Sequence, residues 1–249
     1  MTFPGEHPPP IQLLRFYVTA PFPCGYLDNL EAQSLIATPY HLIDAKIYDH
    51  LIHNGFRRSG KYAYRPHCKT CQACIPVRLP VDEFIPNRSQ RRASKQHQNL
   101  SVSVLPLKFS EEHYALYSAY QSTRHRGGGM DQGTAEQYQD FFVQSNINSR
   151  MIEFRSNEAQ DQGKLKMVSL VDIINDGISA VYTFFDTSDH ASSYGTYNVL
   201  WQIEWCRSLN LPYLYLGYWV EKSQKMAYKQ NFAPLQGLFR GEWQKLSNI

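Results

Sequence analysis

LKMVSLVDIINDGISAVYTFF, residues 165–185, decides the fold. It consists of two apolar runs rich in β-branched and aromatic residues, broken at Asn175-Asp176-Gly177. Run, turn and run read as a hairpin, because Asp-Gly tolerates the positive φ that tight turns require. MIEFR (151–155) precedes it across the polar segment 157–163, which extends the hairpin to a three-strand antiparallel meander. A polar loop, 186–193, ends in Ser192-Ser193, a helix cap. Residues 196–209 then carry Val199, Leu200, Ile203, Trp205 and Cys206, the pattern of a largely buried helix. The apolar run 213–216 follows as a buried strand. Meander, helix and buried strand make an α/β (α+β) order. Gly217-Tyr218-Trp219 falls at the end of that strand, a usual place for a site in open α/β sheets.

Outward from this core, 222–231 reads as a final helix with Lys225 and Lys229 at i, i+4, and 235–243 as a last strand or hairpin. Upstream, Ser110 caps an acidic-started helix through 123. It ends in Arg124-His125-Arg126 and three glycines, either a ligand-approaching loop or a helix stop and connector. A further helix spans 134–144. In the first half, a strand is expected within 11–20 and a helix over 42–54, stopped by Gly55. FRRSGKYAYR (56–65) is a hairpin turning at Ser59-Gly60, with Arg57 and Arg58 on opposite faces. Strands at 74–81 and 100–107 flank a helix start at 89–98. Two regions result, 1–105 and 106–249.

Three of the five cysteines fall within seven residues, as Cys68, Cys71 and Cys74. One tight loop turns three thiolates with this spacing toward a common point, as in zinc knuckles and iron–sulfur loops. Cys24, in a loop stiffened by Pro21 and Pro23, or His67 would supply a fourth ligand. Zinc or an iron–sulfur cluster is the candidate occupant; reduced structural thiols are the alternative. Close by, Arg88, Arg91, Arg92 and Lys95 form either a phosphate-contact patch or a solvated basic face.

Composition narrows the class. The chain has 249 residues, 43% hydrophobic and 14% aromatic, with net charge +3, so it is not a general polyanion binder and nucleic acid would need local patches. No apolar run reaches the ~20 residues of a membrane span. The proline-rich, polar start lacks signal-peptide character, so a cytoplasmic protein with reduced thiols is expected.

Longer segments carry a resemblance. CGYL (24–27), GFRRSGKYAYRPHCKTCQACIPVR (55–78), RSQRR (88–92), HYALYSAY (113–120), RHRGGGMD (124–131), SAVYTFFD (179–186), GTYNVLWQIEWCRSLNLPYLYLGYW (195–219) and KMAYKQNFAPLQ (225–236) stand in fixed order. With them the chain resembles the aminoacyl-tRNA–protein transferases of the arginyltransferase family, most closely the short bacterial branch. That branch moves leucine from Leu-tRNA to proteins beginning with Asp or Glu, marking them for N-degron degradation. The resemblance implies a GNAT-like acyltransferase core after an N-terminal cysteine-containing region. Eukaryotic members carry Cys-Gly-Tyr-Cys where Leu27 stands here, so a metal role does not transfer cleanly.

The implied reaction is aminolysis of an already activated ester, which requires no ATP and no cofactor. Arg57 or Arg58 is expected to hold the acceptor's carboxylate, a task that suits a bidentate guanidinium; the alternative is a surface hairpin arginine. Arg88, Arg91, Arg92, Lys95, Arg124 and Arg126 are the expected tRNA contacts. Tyr182, Asp186, Tyr218, Lys225 and Tyr228 are the expected catalytic residues. Asp186 would orient the amine and accept its proton through water, and Tyr218 or Tyr228 would donate to the oxyanion; otherwise these tyrosines are core residues. Three other readings are an arginyl donor, a metal-stapled RNA-binding module and a CoA-dependent acetyltransferase. The last is disfavoured because residues 189–195 lack Lys and Arg.

Overall fold

The computed structural model describes residues 13–124, 133–188 and 193–246. The chain begins with β1 (Arg15–Val18), the short pair β2 (Phe22–Pro23) and β3 (Glu31–Ala32), and β4 (Ser34–Thr38). Then come α1 (Ala45–His53), β5 (Arg57–Ser59) and β6 (Tyr62–Pro66), which complete a four-stranded sheet in the order β1-β4-β6-β5. Asp44 caps α1 by accepting from the Ile47 amide at 2.8 Å, and Ile47, Tyr48, Leu51 and Ile52 form its buried stripe. The Arg57–Arg58 hairpin forms as expected.

The chain continues through β7 (Ile75–Pro80), α2 (Arg88–Gln96), β8 (Leu100–Leu105), α3 (Glu111–Arg124) and α4 (Ala135–Tyr138), which runs on as a π-helical turn, Gln139–Val143. The capping box of α2 is formed by Asn87 and Gln90. Next are β9 (Ser149–Ser156), β10 (Leu165–Ile174), β11 (Gly177–Phe185), α5 (Tyr194–Ser208), β12 (Tyr213–Trp219), α6 (Gln224–Ala227), β13 (Gln236–Phe239) and β14 (Glu242–Lys245). The helix expected over 222–231 is only α6, followed by a 3-10 turn, Tyr228–Asn231.

One eight-stranded sheet, β14-β13-β7-β12-β11-β10-β9-β8, carries the fold. Its centre is the antiparallel meander β9-β10-β11, followed by α5 and then β12 laid parallel to β11. This is the expected order of meander, helix and buried strand in an α/β core. The boundary expected at residue 105 runs through this sheet, because β7 pairs with β12 and β13, and β8 with β9. Leu79, Val171, Ile178, Ile203 and Leu214 belong to one buried cluster that includes the inner side of α5. Tyr117, Tyr138, Phe142 and Phe184 belong to another. Phe142 is fully buried among Tyr117, Tyr138 and Phe184, so its replacement by Ala would cost about 3–5 kcal/mol. No helix among the described residues is long and apolar enough to cross a membrane.

Candidate active site

β11 and β12 pair only at Gly177–Tyr213, Ile178–Leu214 and Ser179–Tyr215. β11 continues to Phe185 and β12 to Trp219, so the strands fork after Ser179. A fork strands backbone carbonyls that need donors. Arg57, projecting from β5, supplies them: Nη2 donates to Ala180 O at 2.5 Å and to Val181 O at 3.3 Å. Gly217 makes room for it. A Cβ on Gly217 would sit 1.2 Å from Arg57 Nη1, and its φ of +78° is one that only glycine adopts freely. Pairing of β12 with β7 slips between Tyr215 and Gly217, so β12 carries an irregularity where the guanidinium lies. The strand expected to end at 216 therefore continues, and Gly217-Tyr218-Trp219 lie within it.

Beside the fork is a cleft of about 870 Å³. Tyr26, Tyr64 and Tyr218 border it, together with the apolar side chains of Phe22, Leu27, Leu30, Ile75, Leu238 and Phe239. Tyr64 is the cross-strand partner of Arg57. Tyr218 is buried, donates to Gly55 O at 2.8 Å, and has its hydroxyl pKa raised well above the ordinary value by burial. Burial likewise pushes Tyr26 up to about 12. Lys229, from the 3-10 turn after α6, is buried and donates from Nζ to Tyr218 O. Burial, with the Arg57 charge, pulls it down to about 7.

Cys24, Cys68, Cys71 and Cys74 all border this cleft. Burial, reinforced by the neighbouring thiols, pushes Cys74 up to about 12. A tetrahedral zinc site with Zn–S bonds near 2.3 Å holds its sulfurs ~3.8 Å apart. Among the described residues no three thiols come within 4.8 Å of one another. Cys24, Cys68 and Cys71 all lie close enough to Cys74 to act on its charge, so the four thiols share one part of the wall. The three-residue group within that distance, Asp49, His53 and Asp176, is a hydrogen-bonded network. His53 Nδ1 meets Asp49 O at 2.5 Å, Nε2 meets Asp176 Oδ2 at 2.9 Å, and Tyr215 donates to Asp176 at 3.0 Å.

The other expected site residues fall in several places. Arg58 is 3% exposed and its donors are directed inward: Nε and Nη2 to the Asp172 carboxylate at 2.8–3.1 Å, Nη1 to Gly60 O at 2.8 Å. It cannot also receive an acceptor's carboxylate, so that expectation narrows to Arg57. Asp186 lies just after β11 and is ion-paired with Lys164. Although burial opposes it, hydrogen bonds from Ser188 and Lys164 hold its carboxyl at about 2. Tyr218 donates its proton to Gly55 O. Tyr182 accepts from Gln121 Nε2 at 2.9 Å within an aromatic cluster. Lys225 is exposed, and Tyr228 is 46% exposed.

Among the expected tRNA contacts, Arg88, Arg91, Arg92 and Lys95 lie exposed on α2, where Arg91 donates to Pro86 O. Arg124 ends α3, 5.7 Å from the Phe185 ring centroid. Arg126 and the glycines lie outside the described residues. Sequence reasoning missed Tyr26 and Lys229 as site residues, and named Gly217 only as part of the Gly217-Tyr218-Trp219 strand end. Gly217 carried a signal, a glycine within an otherwise aromatic strand.

The family described as arginine-tRNA-protein transferase matches through its N terminus at residues 22–92 and its C terminus at residues 112–239. An aspartate/glutamate leucyltransferase of Methylobacillus flagellatus is 64% identical over 246 residues, 99% of this chain and 96% of that one. The protein of the same name from Thiobacillus denitrificans is 53% identical over 96% of this chain and 99% of its own. The structure of L-PGS from Bacillus licheniformis aligns at TM-score 0.46 with 11% identity, over 60% of this chain and 48% of that one, too distant to carry an argument. With both halves matched and near-full-length relatives above half identity, the chain belongs to the arginine-tRNA-protein transferase family.

Proposed function

We propose that this protein moves leucine from Leu-tRNA to the α-amine of proteins that begin with Asp or Glu, and so marks them for N-degron degradation. The observation that carries this is the guanidinium of Arg57 at the fork of β11 and β12, beside an apolar cleft. Only Nη2 is committed to the fork carbonyls. The remaining donors of Arg57 suit the carboxylate of an N-terminal Asp or Glu.

The cleft suits the donor. A leucyl side chain is served by Phe22, Leu27, Leu30 and Ile75, whereas Glu31 is the single carboxylate residue on the wall, which favours leucine over arginine. The acceptor amine has an ordinary pKa of about 7.7–8.0, so a neutral fraction exists at physiological pH. It attacks the ester carbonyl. The C–N bond forms, the C–O bond to the tRNA ribose breaks, and the amine proton leaves to water or to the departing ribose oxygen. The protein's main contribution is to hold amine and carbonyl together. Tyr228, half exposed and near enough to Arg57 to feel its charge, would donate to the developing oxyanion.

The test is transfer of labelled leucine or arginine, each from its own tRNA, to peptides beginning with Asp or Glu. Leucine transfer alone is the expected result. Arginine transfer would keep the family and overturn the donor. No transfer with tRNA still bound would favour the RNA-binding reading.

A further inference from the structure

The four-stranded sheet has two unlike faces. Strand register places Phe16, Ala37, Ala63 and Arg58 in one row across it. Across β4, β6 and β5 that row faces inward: Ala37, Ala63 and Arg58 are buried, and the two alanines join the cluster that includes the apolar stripe of α1, while Phe16 on the edge strand β1 is 45% exposed. The row Tyr17-Ile36-Tyr64-Arg57 and the pairs Arg15-Thr38 and Tyr62-Ser59, which alternate with it, lie on the opposite face and contain no carboxylate.

On that face the aromatic rings stand in the open. Tyr17 is 55% exposed, Tyr62 45%, and the neighbouring Tyr40 40%. The Tyr40 and Tyr62 rings meet edge to face at 5.9 Å. Lys61 Nζ lies 4.6 Å from the Tyr40 centroid and 5.8 Å from that of Tyr62. The face leads to the reacting cleft, because Tyr64, in the row of Tyr17, borders the cleft and lies 6.4 Å from the Tyr218 ring.

We propose that this tyrosine face, Tyr17, Tyr40 and Tyr62 with Lys61 and Arg15, docks the unpaired 3′ end of the tRNA and leads its aminoacyl ester into the cleft at Tyr64. The partner follows from chemistry. Exposed aromatic rings on a sheet stack unpaired bases, interleaved cations meet the phosphates, and a face without carboxylates does not repel them. A protein acceptor selected for an acidic N-terminus needs one cation at one point, not a row of rings. The assignment rests on the transfer reading above for the identity of the RNA.

The test uses two uncharged RNAs, the tRNA transcript with its single-stranded 3′ tail and the same transcript with the tail removed. The Tyr17→Ala/Tyr62→Ala double variant should bind the intact transcript about ten-fold or more weakly than wild type, as expected for two lost stacking contacts. Binding of the trimmed transcript should be unchanged, and Tyr17→Phe/Tyr62→Phe should retain wild-type affinity for both. Thermal melting checks that both variants fold. Undiminished binding of the intact transcript by the alanine variant overturns the proposal. So does a raised KM for the peptide with RNA binding untouched, which would give the face to the acceptor. Leucine transfer by the wild-type protein is measured in parallel and reports on the transfer reading separately. Equal wild-type affinity for intact and trimmed transcripts overturns the docking face whatever that transfer result.

Discussion

Arg57 Nη1 and Gly217 occupy the same space: a Cβ on Gly217 would lie 1.2 Å from that nitrogen. The guanidinium passes where any other residue would begin its side chain, and reaches the carbonyls of Ala180 and Val181 at the strand fork.

Gly217→Ala is therefore expected to act twice. The positive φ alone costs about 1–2 kcal/mol. Displacing Arg57 should also lower transfer by about a hundred-fold, the scale of a small misplacement at a reacting centre. Melting and steady-state transfer to an Asp-initiated peptide separate the two effects.

Arg58 and Asp172 form an ion pair with side chains 1% and 0% exposed. Removing one partner leaves a buried charge unpaired, so Arg58→Ala or Asp172→Ala should each destabilise the fold by about 3–5 kcal/mol. Urea denaturation measures this. Transfer per folded molecule should change far less than it does for Arg57→Ala.

How much of this was legible before the structure depends on the residue. The meander was written in two β-rich runs around Asp176-Gly177, and alternation put Arg57 and Arg58 on opposite faces. Which arginine turned inward was not legible, although Asp172, alone in an apolar strand, signals a buried cationic partner. The i, i+4 spacing of Lys225 and Lys229 puts them on one helical face and does not say which is buried. The burial of Lys229 is set by how the turn after α6 lies against β12, which is a tertiary fact. The spacing of Cys68, Cys71 and Cys74 placed these thiols together on one wall of the cleft.

Lys229 supplies a pH signature. Its folded value of about 7 lies below the ordinary ~10.4, so the unfolded chain binds the extra proton between those values. The penalty is full below about pH 7 and relieved as the pH rises. Lys229→Met should therefore gain stability over wild type at neutral pH, and the gain should shrink toward about pH 9. Melting across that range checks the sign.

The His53–Asp176 pair predicts an opposite trend. The hydrogen bond with Asp176 raises His53 against the opposing effect of burial, so its stabilisation is full below about pH 6.5 and is lost as the pH rises through the folded value. Asp176 is lowered: burial opposes this, but His53 outweighs it. Its share is present above about pH 3.9 and lost as the pH falls through the folded value. His53→Ala should fall furthest below wild type near about pH 6, and the gap should narrow as the pH rises through the raised folded value, as read by melting.

The most direct measurement is transfer of labelled leucine from Leu-tRNA to peptides beginning with Asp, Glu, Arg or Ala, by wild type and by Arg57→Ala, with tRNA binding followed in the same preparations. Wild type should label only the Asp and Glu peptides. The variant should lose about a hundred-fold or more of that transfer while binding tRNA undiminished. Undiminished transfer to the acidic peptides by Arg57→Ala would contradict the assignment of Arg57 as the residue that reads the acceptor.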